Sequence, residues 1–302
     1  MLTQLKWDAD LCYNKIMMIF TQHNLYQNIN IQLITVKMKK IKAILGLFLL
    51  CVVMLAACKQ NTKVQDNTQI PKEEATKKKI LFVVTSHDKK GNTGEPTGFY
   101  LSEVSHPWHV LHEAGYEIDF VSPLGGKAPV DGFDLNDSIN KAFWDNKEYH
   151  EKIEHTMKPT EVIPDNYVSI FYAGGHGTMW DFADNKELAA IAAKIYENKG
   201  VVAAVCHGPA GLVNIKLNDG QYLVNNKKIN SFTNEEEAAV KLDNIVPFLL
   251  ESKLIERGAI FEKSAPFTPH VTVDQRVITG QNPQSAKGVG EAILKELNKN
   301  DK

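Results

Sequence analysis

Four short apolar runs punctuate the chain, and each reads as a strand buried on both faces. They are Lys79-Ile80-Leu81-Phe82-Val83-Val84-Thr85, Tyr116-Glu117-Ile118-Asp119-Phe120-Val121, Val168-Ser169-Ile170-Phe171-Tyr172-Ala173 and Val201-Val202-Ala203-Ala204-Val205. Between the third and fourth, Leu188, Ile191, Ala192 and Ile195 recur at helical spacing. Asp184 stands where that helix needs an N-cap, Glu187 follows three residues later, and Gly200 lies beyond the end. A second stripe, Leu101, Val104, Trp108 and Leu111, predicts another helix, which Pro107 should kink or restart. Strands separated by helices of this size imply βαβ units and a parallel sheet covered on both faces, an α/β fold.

Ligands of open α/β sheets bind outside the carboxyl ends of the strands. Two glycine-rich turns fall there, Gly174-Gly175-His176-Gly177 after the third strand and Cys206-His207-Gly208 after the fourth. A cysteine between a buried strand and a helix opened by Pro209 is a nucleophile elbow. Its thiol is expected to be exposed, with the free N–H groups of the helix stabilising the thiolate. Gly174 and Gly175 let the backbone approach a ligand closely, and their N–H groups can face a developing oxyanion. Glu103 lies at the margin of an apolar stripe, where desolvation would raise its pKa and suit it to proton transfer near neutrality.

Other chemistry is disfavoured. Gly-Gly-His-Gly has neither the spacing of a dinucleotide fingerprint nor a P-loop lysine, so no nucleotide is expected. His106, His109 and His112 recur every third residue and drift round the helix, so they are read as packing or exposed side chains. No metal is expected.

The N-terminal region carries a different signal. Met38-Lys39-Lys40-Ile41-Lys42 is basic, Ala43 to Ala57 is almost wholly apolar, and small residues precede Cys58 in Leu55-Ala56-Ala57-Cys58. A charged segment, a short apolar run and a small-residue site describe a secretory signal peptide over 38–57. Leu-Ala-Ala-Cys also resembles the bacterial lipobox, which makes Cys58 the lipidated first residue of the mature protein. Residues 58–78 then form a flexible tether, and residues 1–37 are expected to be an extension or a mis-assigned start ahead of Met38. Processing would remove Cys12 and Cys51 and leave Cys206 as the one free thiol, on the exported side of a bacterial cell membrane or outer membrane.

Of 302 residues, 43% are hydrophobic and 23% charged, which is ordinary for a globular protein. Residues 79–300 suffice for one domain with a sizeable core. The net charge of −2, with arginine only at positions 257 and 276, gives no footprint for nucleic acid.

Taken together, Ala-Val-Cys206-His207-Gly-Pro-Ala, Ala-Gly174-Gly175-His-Gly-Thr-Met-Trp-Asp, Gly98-Phe-Tyr-Leu-Ser-Glu103-Val-Ser-His-Pro and Val277-Ile-Thr-Gly-Gln-Asn-Pro283 resemble the ThiJ/PfpI superfamily. They are most similar to its heat-shock chaperone and glyoxalase III branch. The resemblance implies a flavodoxin-like parallel sheet sandwiched by helices. It implies Cys206 as nucleophile, His207 beside it, Glu103 hydrogen-bonded to the sulfur, and backbone N–H groups near Gly175 and His207 at the oxyanion. Some members use a downstream acid to orient the histidine, and Asn234-Glu235-Glu236-Glu237 leaves Glu236 and Glu237 open for that place. An insert from about 131 to 160, with Phe143, Trp144 and Tyr149, would partly roof the pocket.

The activity implied is conversion of methylglyoxal, a small reactive carbonyl, to lactate without glutathione, metal or other cofactor. A holdase chaperone and a cysteine peptidase stay open as alternatives, as does a homodimer. A glutamine amidotransferase is disfavoured, because Pro269-His270-Val271-Thr272 offers no His-x-Glu pair. The expected partners are the carbonyl substrate and, through Cys58, a membrane; no nucleic acid is expected.

Overall fold

The computed structural model describes residues 78–300. The extension 1–37, the signal peptide 38–57 and the tether with Cys58 therefore lie outside the described residues, save for Lys78. Among the described residues no helix is long and apolar enough to cross a membrane.

All four expected strands form. They are β1 (Lys79–Val83), β2 (Glu117–Val121), β3 (Tyr167–Tyr172) and β4 (Val201–Val205). Two more follow, β5 (Val271–Asp274) and β6 (Val277–Gly280). The sheet order is β2-β1-β3-β4-β6-β5, parallel throughout except for the antiparallel edge pair β6–β5. The order reverses beside β1, as in flavodoxin-like sheets. Phe82 pairs with Phe120 on one side and Phe171 on the other, so three aromatic rings cross the middle of the sheet.

Helices cover both faces, which is why the strands are apolar throughout rather than alternating. On one face α1 (Leu101–Glu113) and α6 (Ala286–Asn300) bury Leu101, Val104, Trp108, Leu111, Val289 and Ile293 against Phe82 and Phe171. On the other, α4 (Lys186–Glu197) buries Leu188, Ile191, Ala192 and Ile195 against Leu81, Ile170 and Val202. Each fully buried aliphatic side chain contributes about 1.5–3 kcal/mol, so these two layers supply most of the drive to fold.

Local expectations needed correction at two helices. The N-cap of α4 is Asn185, whose side chain accepts from the Leu188 N–H at 2.9 Å; Asp184 sits one residue too early. Pro107 neither kinks nor restarts α1, which runs unbroken for 13 residues. It lacks the N–H that would reach the Glu103 carbonyl, but it is buried in the contact with α6. There a Cβ on Gly290 would come within 2.9 Å of the Pro107 Cα, so a glycine on one helix admits the proline of the other.

The insert also behaves differently from the expected roof. It forms α2 (Ser138–Asp145) and α3 (Lys147–Glu154), each capped by its own side chain, Asp137 or Asn146. Phe143 and Tyr149 turn inward and meet Trp108 edge-on, at 5.2 and 5.4 Å between ring centroids. Trp144 packs edge-on to Phe133. Apolar rings gain more from the α1 face than from hanging over a polar cleft, so the insert braces α1.

Candidate active site

The elbow forms. Cys206 has φ +59°, a left-handed conformation that a side chain adopts only under constraint. The constraint is visible on both sides: its N–H donates to the Gly280 carbonyl at 2.8 Å, and its carbonyl accepts from Phe232 N–H at 2.8 Å. The helix expected beyond it is a short 3-10 turn of five residues, Gly208–Leu212. That turn has little dipole to offer the sulfur.

The thiol is buried rather than exposed, with only 4% of the residue accessible. Burial pushes its pKa well up, as an ionised Glu103 also would; the His207 N–H pulls the other way. Burial thus corrects the expected exposure of the sulfur and favours its protonated form.

Glu103 projects from the first turn of α1 and is completely sealed. Desolvation lifts its carboxyl to about 8, while the Cys206 thiol and the Gly174 amide pull it back; neither meets it in good hydrogen-bonding geometry. At neutral pH it is a carboxylic acid beside the sulfur. Gly174 makes room for it: a Cβ there would run into Glu103 Oε2 and come within 2.6 Å of the Val205 carbonyl.

His207 lies on the other side of the sulfur, with Nδ1 3.4 Å from Sγ. Its Nε2 is 2.7 Å from Glu237 Oε2. A carboxylate can only accept, so Nε2 carries the proton and Nδ1 faces the thiol as an acceptor. Burial, helped by His176, holds the imidazole down at about 4 despite Glu237. Glu237 is itself opposed by burial, yet the two histidines bring it down to about 2. The pair is thus a neutral imidazole on a carboxylate.

The choice between the two open acids is resolved by their hydrogen bonds. Both sit in the short helix α5 (Asn234–Ala239). Glu237 turns to His207, whereas Glu236 closes a capping box with Thr233 and also accepts from Phe267 N–H, Gln281 and Asn282. Glu236 ties loops together and does not reach the histidine.

The glycine turns meet as expected. Thr178 Oγ1 shares its proton between the Gly175 and His207 carbonyls, at 3.0 and 3.1 Å. The Gly175 and His207 amides donate to no backbone carbonyl among the described residues. Gly175 has φ +98°, and a Cβ would collide with the Gly98–Tyr100 backbone.

A cavity of about 400 Å³ opens onto these groups, lined by Tyr100, Glu103, Gly175, His176, Cys206 and His207. Phe232, Val240, Leu242 and Phe267 make an apolar wall, while Lys90, Glu95 and Asp131 lie on the polar side. Asp131 alone represents the insert. A separate hollow of about 360 Å³ near Asn214, Lys216 and Tyr222 holds none of the reactive groups.

Sequence reasoning missed His176, which bonds the second Glu237 oxygen at 3.0 Å. Its place in the Gly-Gly-His-Gly turn beside the elbow was the available signal. His176, His207 and Glu237 are the one group near metal-ligand spacing among the described residues. Their facing atoms are already hydrogen-bonded to one another, and we assign the group no ion. The other histidines disperse: His106 pairs with Asp137 at 3.0 Å, and His112 stacks on Trp108 and bonds the Tyr149 hydroxyl.

The fold and site together define a flavodoxin-like α/β protein with a buried cysteine elbow flanked by a carboxylic acid and a His–Glu pair. The DJ-1/PfpI family model matches residues 96–296, and the chain belongs to that family. It is 34% identical over 230 residues to glyoxalase 3 of Candida albicans, covering 72% of this chain and 97% of that one. It is also 34% identical to the glutathione-independent glyoxalase HSP31 of Saccharomyces cerevisiae, across 69% of this chain and 93% of that protein. Among solved structures, the Rapid Encystment Protein of Francisella tularensis superposes with a TM-score of 0.71 at 39% identity, covering 73% and 99% of the two chains. Glyoxalase III from Candida albicans gives 0.68 at 30% identity, covering 72% and 97%.

Proposed function

We propose that this protein is a glutathione-independent glyoxalase that converts methylglyoxal to lactate. The observation that carries the reading is Cys206 held between a buried acid, Glu103, and a neutral base, His207. The names of its relatives agree with it.

The resting protonation states suit the chemistry. As the sulfur adds to the aldehyde carbon C1, the thiol proton passes to His207 Nδ1. The alkoxide formed takes the proton of Glu103, giving a hemithioacetal and leaving Glu103 a carboxylate. Glu103 then removes the C1 hydrogen, and the imidazolium of His207 protonates the oxygen on C2, giving an enediol. Glu103 delivers its proton to C2 while His207 takes the one on the C1 oxygen. The product is a lactoyl thioester on Cys206, with His207 protonated and Glu103 ionised. Water cleaves the thioester, and the departing sulfur recovers its proton from His207. The Gly175 and His207 amides hold the oxyanions at C1. Lactate release by the full chain from methylglyoxal, without glutathione or added metal, tests the reading; reduced, folded protein that makes none contradicts it.

Anchorage through a lipid on Cys58 belongs to the same proposal. It is supported by the basic segment at 38–42, the apolar run to Ala57 and the Leu-Ala-Ala-Cys site. Incorporation of a labelled fatty acid that is lost in Cys58→Ala is the expected result, and unlabelled wild type would reject it.

A further inference from the structure

The mechanism above employs one histidine, yet Glu237 holds two. Its Oε2 accepts from His207 Nε2 at 2.7 Å and its Oε1 from His176 Nε2 at 3.0 Å. Each ring is thereby turned with Nε2 towards the carboxylate and Nδ1 away from it. The rings lie 4.1 Å apart between centroids, and Phe232 packs against both. They differ in what the free nitrogen meets. His207 is sealed, with 1% of its side chain accessible, and its Nδ1 faces the sulfur. His176 is 18% accessible, lines the cavity, and makes no hydrogen bond through Nδ1 among the described residues.

We infer that His176 is a second catalytic base, the one that activates the water that cleaves the Cys206 thioester. The inference rests on the glyoxalase reading above. When the thioester forms, His207 carries the proton taken from the C1 oxygen and has no lone pair left at Nδ1. Hydrolysis then needs another base on the cavity side, from which water arrives. In its neutral form His176 supplies one, oriented by the same carboxylate. The water oxygen bonds C1 as one of its protons passes to His176 Nδ1. The tetrahedral oxyanion collapses, the C1–S bond breaks, and the thiolate takes the proton of His207. Lactic acid leaves, and the protons on it and on His176 restore Glu103 and solvent. Glu103 lines the same cavity but has no surface open to solvent, whereas the His176 side chain is 18% accessible on the side from which water enters.

The test is His176→Gln in the full chain, because the glutamine amide can still donate to Glu237 but offers no base. Excess enzyme is mixed with methylglyoxal and quenched, and the lactoyl thioester is trapped with hydroxylamine as its hydroxamate. The expected result is thioester formation at the wild-type rate, a fall of roughly 10²-fold in steady-state kcat, and accumulated acyl-enzyme. Hydroxylamine, which needs little help from a base, should restore release. His176→Asn repeats the test with a shorter amide should the first variant fold poorly. Wild-type turnover in these variants would overturn the assignment. So would equal losses in thioester formation and hydrolysis, which mark an orienting role. Wild type that forms neither thioester nor lactate would instead sink the glyoxalase reading itself.

Discussion

Gly174 and Glu103 occupy one space: the side chain that Gly174 lacks would stand where the Glu103 carboxyl oxygen lies. The two residues are far apart in sequence, and one comes from the turn after β3 while the other comes from α1. The absence of a side chain at 174 thus sets where the acid sits relative to the sulfur.

Gly174→Ala should therefore displace Glu103 and also press on the Val205 carbonyl and the His207 amide at the elbow, without unfolding the sheet. The expected outcome is a fall in kcat of about 10²-fold or more, by loss of a positioned proton donor, with a circular dichroism spectrum like that of wild type. Full activity in a folded Gly174→Ala would show that neither the position of Glu103 nor that of the His207 amide matters.

Glu236 and Glu237 are adjacent but should fail differently. Glu237→Gln removes the carboxylate that fixes the His207 tautomer, so kcat should drop by roughly two orders of magnitude or more. Glu236→Gln loosens the bonds to Thr233, Phe267 N–H, Gln281 and Asn282, so its main effect should be a lower Tm. Breaking part of such a buried network costs about 1–3 kcal/mol. Parallel kinetics and melting on the two variants separate these roles, and reversed effects would exchange them.

The pH profile follows from the same groups. His207 must be neutral to take the thiol proton, and burial holds it at about 4. Glu103 must be protonated to act first as an acid, and desolvation holds it at about 8. The profile of kcat/KM should be flat between these values and fall on either side. An acid limb near 6.5, the ordinary histidine value, would contradict the neutral, buried imidazole.

Glu103 should also weaken the fold at high pH. Its carboxyl titrates near 8 when folded and near 4.5 when free, so the folded state binds the extra proton between those limits. Its stabilising contribution is complete below about 4.5 and lost as pH rises through 8. Glu103→Gln stays neutral throughout, so it should melt above wild type at pH 8–9, with the gap closing towards pH 5. At ~1.4 kcal/mol per pKa unit, the difference is a few kcal/mol at most. A pH-independent gap would place the effect elsewhere.

Much of this architecture was legible because it depends on local pattern. Doubly covered strands are apolar along their whole length, and an elbow needs small residues after its cysteine, so β1 to β4, Gly174, Gly175 and Cys206 stood out. What stayed hidden depends on contacts distant in sequence. The Thr233-x-x-Glu236 spacing of a capping box was the one local sign that told Glu236 from Glu237, while the meeting of Glu237 with His207 is a contact distant in sequence. The elbow is held by Gly280 and Phe232, which hydrogen-bond the Cys206 backbone, and Glu103 lies beside the sulfur, each on another segment. Pro107 survives inside α1 because Gly290, nearly two hundred residues later, leaves space for it. The apolar insert residues looked like a roof but found a better partner in Trp108.

The central claim is that Cys206 forms a covalent bond to the substrate that Glu103 and His207 carry on to lactate. Its most direct test is lactate formation from methylglyoxal by wild type and by Cys206→Ala, assayed without glutathione or added metal. Turnover in wild type that disappears with the sulfur is the predicted result. Lactate formed at the wild-type rate by Cys206→Ala would contradict it.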